Sequence, residues 1–198
     1  MCRQQPVASG AREPRREFGD AFDALLAGAR DGAPWAWDRL YRWLAPAVAG
    51  YLRVQIVSDA DDLTSEVFLG VVRGIERFHG DEQQFRSWVF VIAHRRVQDD
   101  RRRRVRKPDA EQLTDDVALP GGDAEDDVLR SLATSRVHAL CARLAPDQRD
   151  VVLLRIVADL TVDDIAAVLG KTRGAVKALQ RRGFEALRKI LEQEGVPL

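Results

Sequence analysis

The stretch from Asp109 to Asp127 carries eight carboxylates, no Lys or Arg, and the break Leu119-Pro120-Gly121-Gly122. Such a segment repels itself and has too little apolar surface to offset the entropy of ordering it. The material able to form a core therefore lies on either side, and the chain is expected to fold as two small units joined by a tether. The expected boundaries are a flexible N-terminal arm at 1–17, a first domain at 18–107, an acidic linker at 108–128 and a second domain at 129–194.

Both flanking segments carry the helical period, and strand signals are weak, so the expected class is all-α. Phe22, Leu25 and Leu26, then Leu40, Leu44, Val48 and Leu52, recur at helical spacing. Gly32-Ala33-Pro34-Trp35 divides them into two helices. Ser58 opens a third helix, with Asp residues at its positive end and Leu63, Val67, Val71 and Ile75 as its inner stripe. His79 to Gln84 reads as a loop. Phe85 then starts a helix with Trp88, Val89, Ile92 and Val97 on one side. In the second domain, Leu132, Val137, Leu140 and Leu144 suggest one helix, and Pro146 starts another near its first turn.

Lys and Arg number 31, as do Asp and Glu, so net charge is zero and says nothing about partners. Its distribution says more. His94 to Lys107, just before the acidic stretch, holds seven Arg and one Lys against two Asp. The two Asp, Asp99 and Asp100, lie four residues from Arg95, Arg96, Arg103 and Arg104, a spacing that favours helix over coil. Arg95, Arg101 and Arg102 are expected to stay free on the outward side, while Arg103 to Lys107 frays toward the linker. Such a surface suits a polyanion.

The most specific local pattern is LTVDDIAAVLGKTRGAVKALQRR, residues 160–182. Thr161 and Asp164 have capping-box spacing, Ile165, Ala166 and Leu169 face inward, Gly170 can adopt a left-handed stop, and Thr172 can cap the next helix. Val176, Leu179 and Leu187 bury that second helix. A short helix, a tight turn and a longer basic helix make a helix-turn-helix, whose second helix enters the major groove. Arg173, Lys177, Arg181 and Arg182 lie toward its exposed face, where Arg and Lys hold phosphates and guanine edges. The plainer alternative is a solvated basic face on a helical hairpin.

Several classes lose support. Cys2 and Cys141 are far apart, and His79, His94 and His138 are isolated, so neither a disulfide framework nor a metal site is expected. No apolar run reaches about 18 residues, and the N-terminus MCRQQPVASGAREPRRE has no apolar core, so neither membrane insertion nor a secretory signal is expected. The expected compartment is the cytoplasm. No nucleophile–base pair stands out; no catalytic residue, cofactor or small-molecule substrate is expected.

Two segments carry a family resemblance. DADDLTSEVFLGVV with FRSWVFVIAHRRVQDDRRRR resembles region 2 of bacterial sigma factors, and LAPDQRDVVLLRIVADLTVDDIAAVLGKTRGAVKALQRR resembles their region 4. With only these two regions and a short linker, the chain resembles the extracytoplasmic-function (ECF) group. The resemblance implies binding to core RNA polymerase and to promoter DNA, with region 2 recognising the −10 element as it melts and region 4 reading the −35 element. It also raises an anti-sigma factor as a partner. Asp61, Asp62, Glu66 and Phe68 match the polymerase-binding helix. The loop with His79, Gly80 and Asp81 matches one that captures an unstacked base, and Trp88 matches a family aromatic that at this spacing equally suits the core. Arg155 matches a −35 backbone contact, and Lys177, Ala178, Arg181 and Arg182 match groove-facing positions.

Arg95 stands where the family usually has Asn, and Arg101 where it often has Leu. Both add charge where melted DNA runs. The acidic linker reads equally as a mimic of RNA charge in a polymerase channel and as a plain spacer. A repressor or activator, with 18–107 as sensor or dimerisation unit, explains the helix-turn-helix equally but not the second basic surface. An RNA-binding protein lacks the expected aromatic platform.

Overall fold

A computed structural model of the chain describes residues 17–55, 59–106, 136–137 and 139–195. Among these there is no strand. The N-terminal half holds α1 (Phe22–Arg30), α2 (Pro34–Gln55), α3 (Ala60–Gly74) and α4 (Glu82–Arg106), with short 3-10 turns at Gly19–Ala21 and Ile75–Arg77. The C-terminal half holds α5 (Pro146–Ile156), α6 (Val162–Leu169) and α7 (Arg173–Gln193), preceded by helical residues at 139–142. The expected linker, Ser58 and Leu132 lie outside the described residues.

The break between α1 and α2 falls where Gly32 adopts φ +74°, a left-handed conformation that a side chain would strain. Asp59 caps α3, its carboxylate accepting the amides of Asp61 and Asp62 at 3.1 and 3.0 Å. The stripe Leu63, Val67, Val71 and Ile75 is buried as expected. Val137 is not: it is exposed, while Leu140 is half-buried and Leu144 buried.

The expected His79–Gln84 loop is shorter than the sequence suggested, because α4 starts at Glu82. A reciprocal cap forms there: Gln84 N donates to Asp81 Oδ1 at 2.8 Å, and Asp81 N donates to Gln84 Oε1 at 2.9 Å. Glu82 is buried. Its carboxylate accepts the backbone amides of Glu17, Phe18 and Gly19, tying the segment before α1 to α4. Trp88 stacks on Phe78 (centroids 5.1 Å apart) and lies over Gly74, where a Cβ would come within 2.7 Å of its ring. Its place is largely in the core.

The two halves share an apolar core. Helix α5 buries Val151, Val152, Leu153 and Leu154 in succession, which a helix can do only when enclosed on more than one side. Val152 packs with Leu144 and Ile190 of its own half, whereas Val151, Leu153 and Leu154 join the cluster built on α1 to α4. Helix α6 lies along α4, and the end of α2 meets α5.

Candidate nucleic-acid interface

The helix-turn-helix forms from its own sequence chemistry. Thr161 and Asp164 make the capping box: Asp164 N donates to Thr161 Oγ1 at 3.2 Å and Thr161 N to Asp164 Oδ2 at 3.0 Å. Asp replaces the usual Glu here and still closes the pair. Gly170 ends α6 at φ +62°, and Thr172 caps α7 by accepting the amide of Ala175 at 3.2 Å. Ile165, Val168 and Val176 are buried, while Ala166, Leu169, Leu179 and Leu187 are half-buried. Gly183 was not singled out from the sequence, yet it sets how closely α7 approaches α5: a Cβ there would meet Val152 Cγ2 at 2.7 Å.

Arg173, Lys177, Arg181 and Arg182 are all exposed on α7, and Ala178 is half-buried beside them. The first four lie along the N-terminal half of the helix. Arg173 pairs with Asp163 at 2.6 Å and Arg181 with Glu185 at 3.3 Å, while Arg182 Nε donates to the carbonyl of Ala178 at 3.3 Å. These contacts are solvated and weak enough to exchange for phosphates. Arg155 is half-buried and donates to the carbonyl of Leu160 at 2.7 Å, bracing the turn between α5 and α6.

The basic end of α4 departs from expectation. Arg95 is exposed, but Arg102 pairs with Asp99 at 3.3 Å, and Arg101 is drawn across to the C-terminal half. Its guanidinium donates to Gln55 Oε1 at 2.7 Å and to Asp150 Oδ1 at 3.2 Å. The outward placement expected for Arg101 is therefore wrong, because a buried carboxylate on α5 competes for it. The expected Asp100–Arg104 pair forms at 2.7 Å, whereas Arg96 pairs with Glu66 of α3 at 3.3 Å.

His94 sits beside this junction. Gln98 Nε2 donates to His94 Nε2 at 3.2 Å, leaving Nδ1–H to donate to Tyr51 Oη at 2.9 Å. Burial pushes His94 below its ordinary range; Asp150 opposes that shift, and Arg101 and Lys171 reinforce it. Burial likewise pushes the Tyr51 phenol and the Cys141 thiol up.

On the loop, His79 is exposed and donates from Nδ1 to the carbonyl of Arg77 at 3.0 Å. At Gly80 a Cβ would crowd Gln84 Cβ at 3.0 Å and the Phe78 ring at 3.1 Å. On α3, Asp61 and Asp62 are exposed, and Asp61 pairs with Arg53 at 3.0 Å. Phe68 is buried against Tyr41, with ring centroids 4.7 Å apart. The apolar groups this helix presents to solvent are instead Leu69 (53% exposed) and Val72 (49%). A helical wheel would have found them, because seven residues separate Asp62 from Leu69 and Ser65 from Val72. No helix of the described residues is long and apolar enough to cross a membrane.

Comparison with known proteins agrees with this layout. Residues 36–107 match sigma-70 region 2, and residues 141–189 match sigma-70 region 4. The chain is 34% identical over 189 residues to the ECF RNA polymerase sigma factor BldN of Streptomyces coelicolor, covering 91% of this chain and 71% of that one. It is 34% identical over 164 residues to the RNA polymerase sigma factor CarQ of Myxococcus xanthus, covering 82% and 92%. The fold resembles that of CnrH, solved in complex with the cytosolic domain of CnrY, with a TM-score of 0.65 at 23% identity over 88% of this chain and 99% of that one. It also resembles the Bartonella quintana sigma factor RpoE, solved with the anti-sigma factor NepR, with a TM-score of 0.61 at 17% identity over 78% and 96%. Two regions matched in order, with relatives at this identity and coverage, place the chain in the sigma-70 family, within its extracytoplasmic-function group.

Proposed function

We propose that this sigma factor divides promoter reading between its halves, residues 18–107 acting at the −10 element and residues 129–194 at the −35 element, with 108–128 as linker. As a member of its family it binds core RNA polymerase and directs initiation at promoters. The observation that carries it is the row of exposed cations on α7, held by a helix-turn-helix whose caps and glycine stop are all formed. Arg173 and Lys177 enter the major groove first; Arg181, Arg182 and Arg155 hold backbone phosphates, and Ala178 offers only an apolar touch.

In the other half, the loop at His79–Asp81 beside Trp88 receives an unstacked base, while Arg95, Arg102 and, once released, Arg101 grip the adjoining strand. Asp81 contributes through the shape it gives the loop, since its carboxylate is engaged as a cap. Polymerase meets the outward face of α3, where Asp62 and Glu66 flank Leu69 and Val72. Phe68 supports that face from beneath. The chain works in the cytoplasm, forms no bond itself, needs no cofactor, and is open to control by an anti-sigma factor.

Purified chain mixed with core polymerase tests this reading. Co-purification and initiation at a defined site support it. Failure of both overturns it.

A further inference from the structure

One side chain of α1 reaches the His79–Asp81 loop without being part of it. Arg30 is the last residue of α1 and is exposed. Its guanidinium spans two carbonyls that lie 45 and 48 residues further along the chain: Nε donates to Ile75 O at 3.5 Å and Nη2 to Phe78 O at 2.5 Å. Ile75 O also accepts the amide of Phe78 at 3.2 Å. The 3-10 turn at Ile75–Arg77 is therefore closed by its own backbone and braced from α1. A planar guanidinium on two carbonyls fixes direction as well as distance, which an ammonium on a flexible stem does not.

Phe78 is where that turn opens into the loop, its backbone passing to the extended region at ψ 132°. Its ring is buried, stacked on Trp88 at 5.1 Å and edge-on to Phe85 at 5.2 Å. The rings hold Phe78 from the core side, and Arg30 holds its carbonyl from α1. Only His79, Gly80 and Asp81 separate Phe78 from α4. At the far end the Asp81–Gln84 cap fixes Asp81, and His79 bonds back to Arg77 O. A loop this short leaves in the direction that its entry residue sets. A pocket for an extracted base must replace the lost stacking, so its walls have to be in place when the base arrives.

We propose that Arg30 is a positioning residue for base capture: by holding the Ile75 and Phe78 carbonyls it sets the entry of the His79–Asp81 loop, and so the fit of the unstacked −10 base, while touching no DNA itself. The assignment depends on the loop role given under Proposed function.

The test uses the full chain with core polymerase and a promoter whose −10 element is intact or carries one abasic site, placed in turn at each non-template position. Wild type, Arg30→Met and Arg30→Lys are compared for initiation rate, with thermal unfolding by circular dichroism confirming retained fold. The position at which base removal costs wild type most marks the captured base. Arg30→Met is expected to lower initiation several-fold on the intact promoter and to have little further effect once that base is missing, with polymerase binding unchanged. Arg30→Lys, which reaches one carbonyl rather than two, should fall between and serves if Arg30→Met folds poorly. An equal loss with and without the captured base, or no loss on either template, would overturn the role of Arg30. Both outcomes leave the loop reading standing, because wild type still responds to base removal. No response of wild type to any abasic site would instead overturn that reading, and the role of Arg30 with it.

Discussion

Asp150 and Arg101 lie 49 residues apart in sequence and 3.2 Å apart in space, one on each half of the molecule. The pair joins a region 4 helix to the basic helix of region 2 in one hydrogen-bonded group with Gln55. Its consequences extend to stability and pH response.

His94 borders that group, and its depressed basicity has a defined sign. Burial makes the folded chain resist protonating His94, while the unfolded chain takes up a proton near pH 6.5, the ordinary histidine value. As pH falls through that value, the unfolded state gains a proton that the folded state resists, so stability declines by at most about 1.4 kcal/mol per pH unit from this site. Of the charged neighbours, Asp150 favours the proton, and Arg101 and Lys171 oppose it. Urea unfolding between neutral pH and pH 5 should show the decline, and His94→Gln should flatten it. An equal decline in both proteins would assign it to other groups.

Replacing Gly183 with Ala should destabilise the helix-turn-helix even though Ala is the better helix former. The added methyl would lie 2.7 Å from Val152 Cγ2 and 3.4 Å from the Gln148 carbonyl. Overpacking of this kind costs about 1–3 kcal/mol, against roughly 1 kcal/mol gained in propensity. Thermal unfolding followed by circular dichroism should show a lower midpoint. A raised midpoint would mean that α7 moves away without cost.

Glu82→Ala should loosen the segment that leads into α1. Three amides, those of Glu17, Phe18 and Gly19, lose their shared acceptor. Hydrogen bonds to a charged group contribute about 1.5–3 kcal/mol each in favourable cases, and an exposed chain start recovers part of this through water. Faster proteolytic cleavage near Phe18 is the expected readout. Unchanged cleavage with an unchanged unfolding midpoint would show that the carboxylate is dispensable.

The helix-turn-helix was legible because its signals are local: Thr161 with Asp164, the left-handed Gly170, and the Thr172 cap all act within a few residues. The Asp81–Gln84 cap was equally local, but spacing from Phe85 placed the helix start too late. Glu82 and Arg101 were not legible. Their partners are 63 to 65 and 46 to 49 residues away, and an isolated sequence window reads both as solvated charge. Leu69 and Val72 were not legible either, because periodicity marks only the buried stripe of α3 and both lie on its exposed side. Phe68, assigned to polymerase by resemblance, belongs to that inner side.

The division of promoter reading is tested most directly at Lys177. Its side chain is exposed on the part of α7 proposed to enter the groove, and truncation should remove a contact of about 1–3 kcal/mol if it reads a base edge. Initiation by wild type and Lys177→Ala is measured with core polymerase on two templates, one with the −35 element and one with that element scrambled. The account predicts that the substitution lowers initiation on the intact promoter and has no further effect on the scrambled one, with polymerase binding unchanged. An equal loss on both templates would contradict it.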